Sequence, residues 1–152
     1  MAEQLNSICN QSIKKKEVDG GKWCYASLDD VRENMKKTGY PLDNIRCIQG
    51  RVEEKIPAFM PKGVISLLRL DTDWYESTRH EMINLYPKLA IGGALIIDDY
   101  GHWLGAKLAV DEYFAANKPI LLNRIDYTDR VGVKVWYHAF IIKSISFKNV
   151  FI

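Results

Sequence analysis

The chain has 152 residues, 47% of them hydrophobic and 26% charged, the composition of one ordinary globular domain that can bury a core. Its 21 Lys and Arg stand against 19 Asp and Glu, leaving no charge excess that would favour nucleic acid or an anionic membrane surface. The expected partner is a small molecule or another protein.

In chain order, residues 1–21 are polar, carry Lys14-Lys15-Lys16 and end in Gly20-Gly21, which reads as a disordered segment. This start has no apolar signal-peptide core, and no window reaches the length of a membrane span. The expectation is a cytoplasmic protein without membrane contact. Cys9, Cys24 and Cys47 lack the spacing of a zinc or redox site and are expected to be reduced, passive thiols.

An α/β domain is expected over residues 22–137. The segment SLDDVRENMKKTGYP offers Ser27 as N-cap with Asp30 three residues on, an apolar face of Leu28, Val31 and Met35, and Gly39 and Pro41 as stop signals, the signature of an amphipathic helix. IRCIQG, Ile45 to Gly50, is short and β-prone, while VISLLRL, Val64 to Leu70, is nearly all apolar, as a strand covered on both faces would be. Thr78 and Glu81 have the spacing of a second capping box. Met82, Leu85, Tyr86 and Leu89 then share a helical stripe that Pro87 is expected to kink.

Gly92-Gly93 leads into ALIIDDY, a second predicted buried strand, and GAKLAVDEYFAANKP sets Ala106, Ala109, Val110, Tyr113 and Phe114 at helical spacing. ILLNRID and VGVKVWY are two β-prone runs close enough for a hairpin. This order describes an open α/β sheet, mostly parallel, with an antiparallel pair at the end. Residues 138–152 form an apolar tail with partial strand-like alternation and no evident place in that sheet.

Ligands of open α/β sheets bind outside the carboxyl ends of the parallel strands. Asp71 ends one such strand and Asp98-Asp99 the next. In strands about 4.8 Å apart these side chains can meet. Carboxylates so gathered repel one another unless a cation sits between them, and an all-oxygen donor set suits Mg²⁺ or Mn²⁺. Asp73 reads either as a member of this group or as a cap of the following helix. His102, on the loop after Asp99, is a candidate proton acceptor or substrate contact. His80 and His138 read as structural. Trp74, Tyr75, Tyr100 and Trp103 surround the strand ends and could floor a ring-shaped substrate.

RLDTDWYESTRHEM, YPKLAIGGALIIDDYGHWLGAKLAVDEYF and RIDYTDR, together with SLDDVRENMKKTGYPLDNIRCIQGRVEEKIP upstream, resemble the macrocin O-methyltransferase family of macrolide-sugar O-methyltransferases. The resemblance implies a Rossmann-like class I fold dependent on S-adenosylmethionine, with Mg²⁺ binding two sugar hydroxyls of the acceptor. It makes Asp71, Asp98 and Asp99 the metal ligands and Gly50, Arg51 and Val52 the loop against the cofactor's adenosine; a carboxylate at the metal, Asp71, could then accept the hydroxyl proton.

Family members also carry an upstream strand and Gly-rich turn for the methionine end of the cofactor, where this sequence offers only Gly20 and Gly21. The N-terminal strands are therefore expected to be missing. A homo-oligomer or a complementing partner chain is the consequence, because an uncovered sheet edge invites pairing. The alternatives are a catalytically impaired remnant, a metal- or sugar-binding module, and a haloacid dehalogenase-like phosphotransfer domain, whose strand also ends in DxD.

Overall fold

The computed structural model describes residues 26–136. The expected disordered segment 1–21 and the tail 138–152 lie outside the described residues, as do Cys9, Cys24 and His138. Helix α1 spans Leu28–Lys37. Its capping box forms as the sequence predicts: the Asp30 N–H donates to Ser27 Oγ at 3.1 Å, and the Ser27 N–H donates to Asp30 Oδ2 at 3.0 Å. The apolar face of α1 nevertheless packs little, and none of its residues is buried.

IRCIQG does not form a strand. A strand exists only by pairing, and among the described residues none lies beside it, so β propensity alone leaves the segment extended. A 3-10 turn at Leu42–Asn44 precedes it, and a short helix, α2, Val52–Lys55, follows.

Strand β1 covers Ile65–Leu70 and helix α3 covers Tyr75–Asn84. Thr78 is thus not an N-cap. Helix α3 begins after Trp74, placing Thr78 within it, where its hydroxyl donates back to the Thr72 carbonyl at 2.8 Å. Pro87 ends the helical region rather than kinking it: α3 closes at Asn84, and Pro87 sits in a 3-10 turn, Tyr86–Lys88. Strand β2, Leu89–Ile97, starts at once and runs through Gly92-Gly93 instead of beginning after them. Those glycines occupy the register shift between β1 and β2, where Gly92 has φ of 81° and a Cβ on Gly93 would lie 3.0 Å from the Ser66 carbonyl. Helix α4, Leu104–Ala116, precedes a hairpin of β3, Asn123–Arg124, and β4, Arg130–Val133.

The sheet order is β1-β2-β4-β3. β1 and β2 are parallel, and the β2·β4 and β4·β3 pairs are antiparallel, giving the expected antiparallel end. Side chains alternate across this sheet. Leu68, Leu70, Leu95 and Ile97 face α3 and α4 and form the core with Met82, Tyr86, Val110 and Phe114. Leu67, Ala94 and Val133 stand in register on the opposite face, where Leu67 and Val133 are 57% and 50% exposed. Among the described residues, helices thus cover one face of the sheet and leave the other open.

Candidate metal and active site

Parallel pairing brings the tips of β1 and β2 together: Leu70 is the register partner of Ile97, and the Asp98 N–H donates to the Leu70 carbonyl at 2.9 Å. Asp71 and Asp98, the next residues, are therefore neighbours, and one carboxylate oxygen from each of Asp71, Asp98 and Asp99 lies within 4.8 Å of the others. Asp99 reaches this cluster from a left-handed backbone conformation, φ 57°, costly for a side chain with a Cβ and tolerated best by Asp and Asn. Its carbonyl then accepts the N–H groups of His102, at 2.9 Å, and Trp103, at 2.8 Å. One strained residue both aims a carboxylate and anchors the turn into α4.

The loop after Asp99 is fastened to the β3–β4 hairpin. The Gly101 N–H donates to the Thr128 carbonyl at 2.8 Å, and a Cβ on Gly101 would lie 2.1 Å from the Tyr127 carbonyl oxygen. His102 Nδ1 consequently meets Tyr127 Oη at 2.5 Å, and the His102 ring meets Trp103 edge-on, with centroids 4.9 Å apart. Tyr127 is a member of this aromatic wall that the sequence reading passed over. RIDYTDR reads as a hairpin turn, and nothing local says that its tyrosine reaches back to the loop after β2.

Asp73 joins the acidic group rather than capping α3, whose N-terminus has no side-chain cap. Burial, a hydrogen bond shared with Asp99, and the charges of Asp99 and Asp71 push its carboxyl up to about 6, with His102 opposing. Asp129, in the hairpin turn, is raised by a hydrogen bond shared with Asp98. Two further carboxyls therefore flank the three at the strand tips, which is a set of hard oxygen donors that fits a small divalent cation. Arg69 supplies local positive charge. Its Nη1 lies 2.8 Å from Asp71 Oδ2, and its Nη2 pairs with Asp98.

The other aromatics are tied to helices. Tyr75 Oη donates to Glu112 at 2.5 Å and Tyr100 Oη to Asp111 at 2.5 Å, so these hydroxyls brace α4 instead of flooring the site. Trp74 and Trp103 stand at the N-termini of α3 and α4. Gly50, Arg51 and Val52 form the turn into α2; Gly50 has φ 138° and Arg51 is the N-cap residue. Glu53 of α2 accepts from Ser77 Oγ of α3 at 2.5 Å, which fixes this turn beside the helix that follows β1. Cys47 is a free thiol and is exposed. Among the described residues no helix is long and apolar enough to cross a membrane.

Comparison with known proteins places the chain in a family. The sequence model of the macrocin O-methyltransferase (TylF) family matches residues 5–137. The chain is 36% identical over 107 residues, 70% of its length, to the demethyldecarbamoylnovobiocin O-methyltransferase of Streptomyces niveus, of which it spans 40%. It is 35% identical over 74 residues, 49% of its length, to the mycinamicin III 3''-O-methyltransferase of Micromonospora griseorubida, of which it spans 29%. Among solved structures, the O-methyltransferase NovP superposes with a TM-score of 0.68 at 33% identity, over 73% of this chain and 46% of that one. The apo structure of CalS11, a TDP-rhamnose 3'-O-methyltransferase, shares the fold at a TM-score of 0.55 and 21% identity, over 72% of this chain and 53% of that one. The chain thus spans less than half the length of its curated relatives, and it belongs to the macrocin O-methyltransferase family.

Proposed function

We propose that this chain carries the metal- and acceptor-binding part of an S-adenosylmethionine- and Mg²⁺-dependent O-methyltransferase whose acceptor is a hydroxyl of a sugar or similar small molecule. The observation that carries this reading is the convergence of Asp71, Asp98 and Asp99 within 4.8 Å at the ends of adjacent parallel strands. The names of the relatives supply the reaction class. Family membership also removes the phosphotransfer alternative.

In this reading Asp71, Asp98 and Asp99 hold the cation. When bound, Mg²⁺ supplies Lewis-acid polarisation of the acceptor hydroxyl and S-adenosylmethionine supplies the methyl group. The carboxylates fix where the acceptor oxygen stands, and orientation of two reactants is itself a large part of such catalysis. With both groups bound, Asp71 would accept the proton that the acceptor hydroxyl gives up. Asp73, half-buried beside Asp99, would support this cluster. His102, braced by Tyr127, contacts the acceptor from the loop side. Gly50, Arg51 and Val52 lie against the adenosine of the cofactor, and a homo-oligomer or a complementing chain covers the open face of the sheet.

Isothermal titration of S-adenosylmethionine with and without Mg²⁺, into the wild-type chain and an Asp98→Ala, Asp99→Ala double variant, tests this reading. Binding that requires both Mg²⁺ and the carboxylates supports it. Mg²⁺ binding without any cofactor binding would leave an acceptor-side module in its place.

A further inference from the structure

Arg69 lies two residues before Asp71 on β1, in register with Ile96 of β2, so its side chain leaves the sheet on the open face. From there one guanidinium spans both strand tips. Nη1 lies 2.8 Å from Asp71 Oδ2 as an ion pair, and Nη2 donates to Asp98 Oδ2. Two of the three candidate cation ligands therefore each have an oxygen engaged by the same side chain, which is 51% exposed and free to swing into solvent. The other arginine nearby is turned elsewhere: Arg130 Nη1 donates to the Asp129 carbonyl at 2.8 Å, and its guanidinium lies over the Tyr100 ring.

We propose that Arg69 is a built-in counter-cation that competes with the divalent ion for Asp71 and Asp98, so that metal loading requires the guanidinium to release them. The proposal rests on the reading of Asp71, Asp98 and Asp99 as a cation site. A guanidinium has donors only and cannot share a metal's coordination sphere. Its planar fork matches two carboxylate oxygens and relieves their mutual repulsion while no metal is bound. Once a dication enters, the same charge becomes a cost, and each oxygen held by an N–H is a poorer ligand. Arg69 thus holds the strand tips together in the metal-free protein and sets a threshold for loading.

The test is Mn²⁺ affinity, read by electron paramagnetic resonance of free Mn²⁺, for wild type, Arg69→Gln, Arg69→Lys and Asp98→Asn. The melting temperature of each is measured in chelator and in saturating Mn²⁺. Arg69→Gln is expected to bind Mn²⁺ about tenfold more tightly, the effect of removing one unit charge roughly 6 Å from a dication at the dielectric of water. It should melt lower than wild type in chelator and gain more on adding Mn²⁺. Arg69→Lys, which keeps the charge, should stay nearer wild type. Equal or weaker Mn²⁺ binding by an Arg69→Gln variant with a native circular dichroism spectrum would overturn the competition while leaving the cation site intact. Absence of Mn²⁺ binding in all four proteins would overturn the site reading and this proposal together.

Discussion

Glu81 shows how a residue that reads one way in sequence acquires another role. Its spacing from Thr78 suits a capping box, yet it is buried beneath the β1–α3 turn, where Thr72 Oγ1 lies 2.7 Å from Glu81 Oε2 and 3.0 Å from Thr78 Oγ1. Thr78 Oγ1 donates to the Thr72 carbonyl at 2.8 Å. Thr72 Oγ1 donates to Glu81 Oε2, which favours the ionised carboxylate. Burial outweighs that bond and, with the charges of Glu53 and Asp71, raises the Glu81 carboxyl.

The folded protein therefore holds this proton at pH values where the unfolded chain has lost it. The contribution of Glu81 to stability is fully present below the ordinary glutamate value, and it falls as pH rises through the raised folded value. Glu81→Gln, which donates without titrating, is expected to flatten this part of the pH profile and to melt higher than wild type at neutral pH. Melting temperatures of the two proteins across pH 4 to 8 check it, and parallel profiles would contradict it. Asp73 carries the same lesson nearer the site. In sequence it reads equally as a helix cap, and its burial beside Asp99 places it with the acidic group instead.

At the scale of elements, what was legible was what local chemistry decides. The Ser27–Asp30 box, the stripe of Ala106, Ala109, Val110 and Phe114, and the hairpin around Tyr127–Asp129 are each set within a few residues, and each forms. What failed depended on partners elsewhere. IRCIQG had strand propensity without a neighbour, and β2 extended back to Leu89 because β1 was there to pair with it.

The joint between α3 and β2 also depends on a distant residue. Lys134, just beyond β4, sends Nζ to the carbonyls of Tyr86, Pro87 and Leu89 at 3.0, 3.0 and 2.8 Å. Pro87 has no N–H to carry the helix on, and the Leu89 N–H closes the 3-10 turn on the Tyr86 carbonyl that Lys134 also reaches. Lys134→Met keeps the aliphatic stem and removes the donors, and it should cost about 2 kcal/mol in a denaturant titration with unchanged m-value. A loss under about 0.5 kcal/mol would show that water serves these carbonyls as well.

At the scale of the whole molecule, the fold and the site were legible to different degrees. Apolar runs ending in Asp71 and in Asp98-Asp99 pointed to a site at the strand ends, because parallel neighbours must bring such residues together, and their convergence follows from the Leu70–Ile97 register. Tyr127 and Arg69 were invisible as site residues, since one arrives from a hairpin turn and the other from the open face of the sheet. That open face, with Leu67 and Val133 half exposed, is a further property of the assembled sheet that no single segment declares.

Whether Asp71, Asp98 and Asp99 together hold one divalent cation is measured most directly by anomalous scattering from crystals grown with Mn²⁺. A single strong anomalous peak is expected within coordinating distance of all three carboxylates, absent from Asp98→Asn crystals grown alike. A Mn²⁺ peak elsewhere, or none at the strand tips while the ion is demonstrably bound in solution, would contradict it.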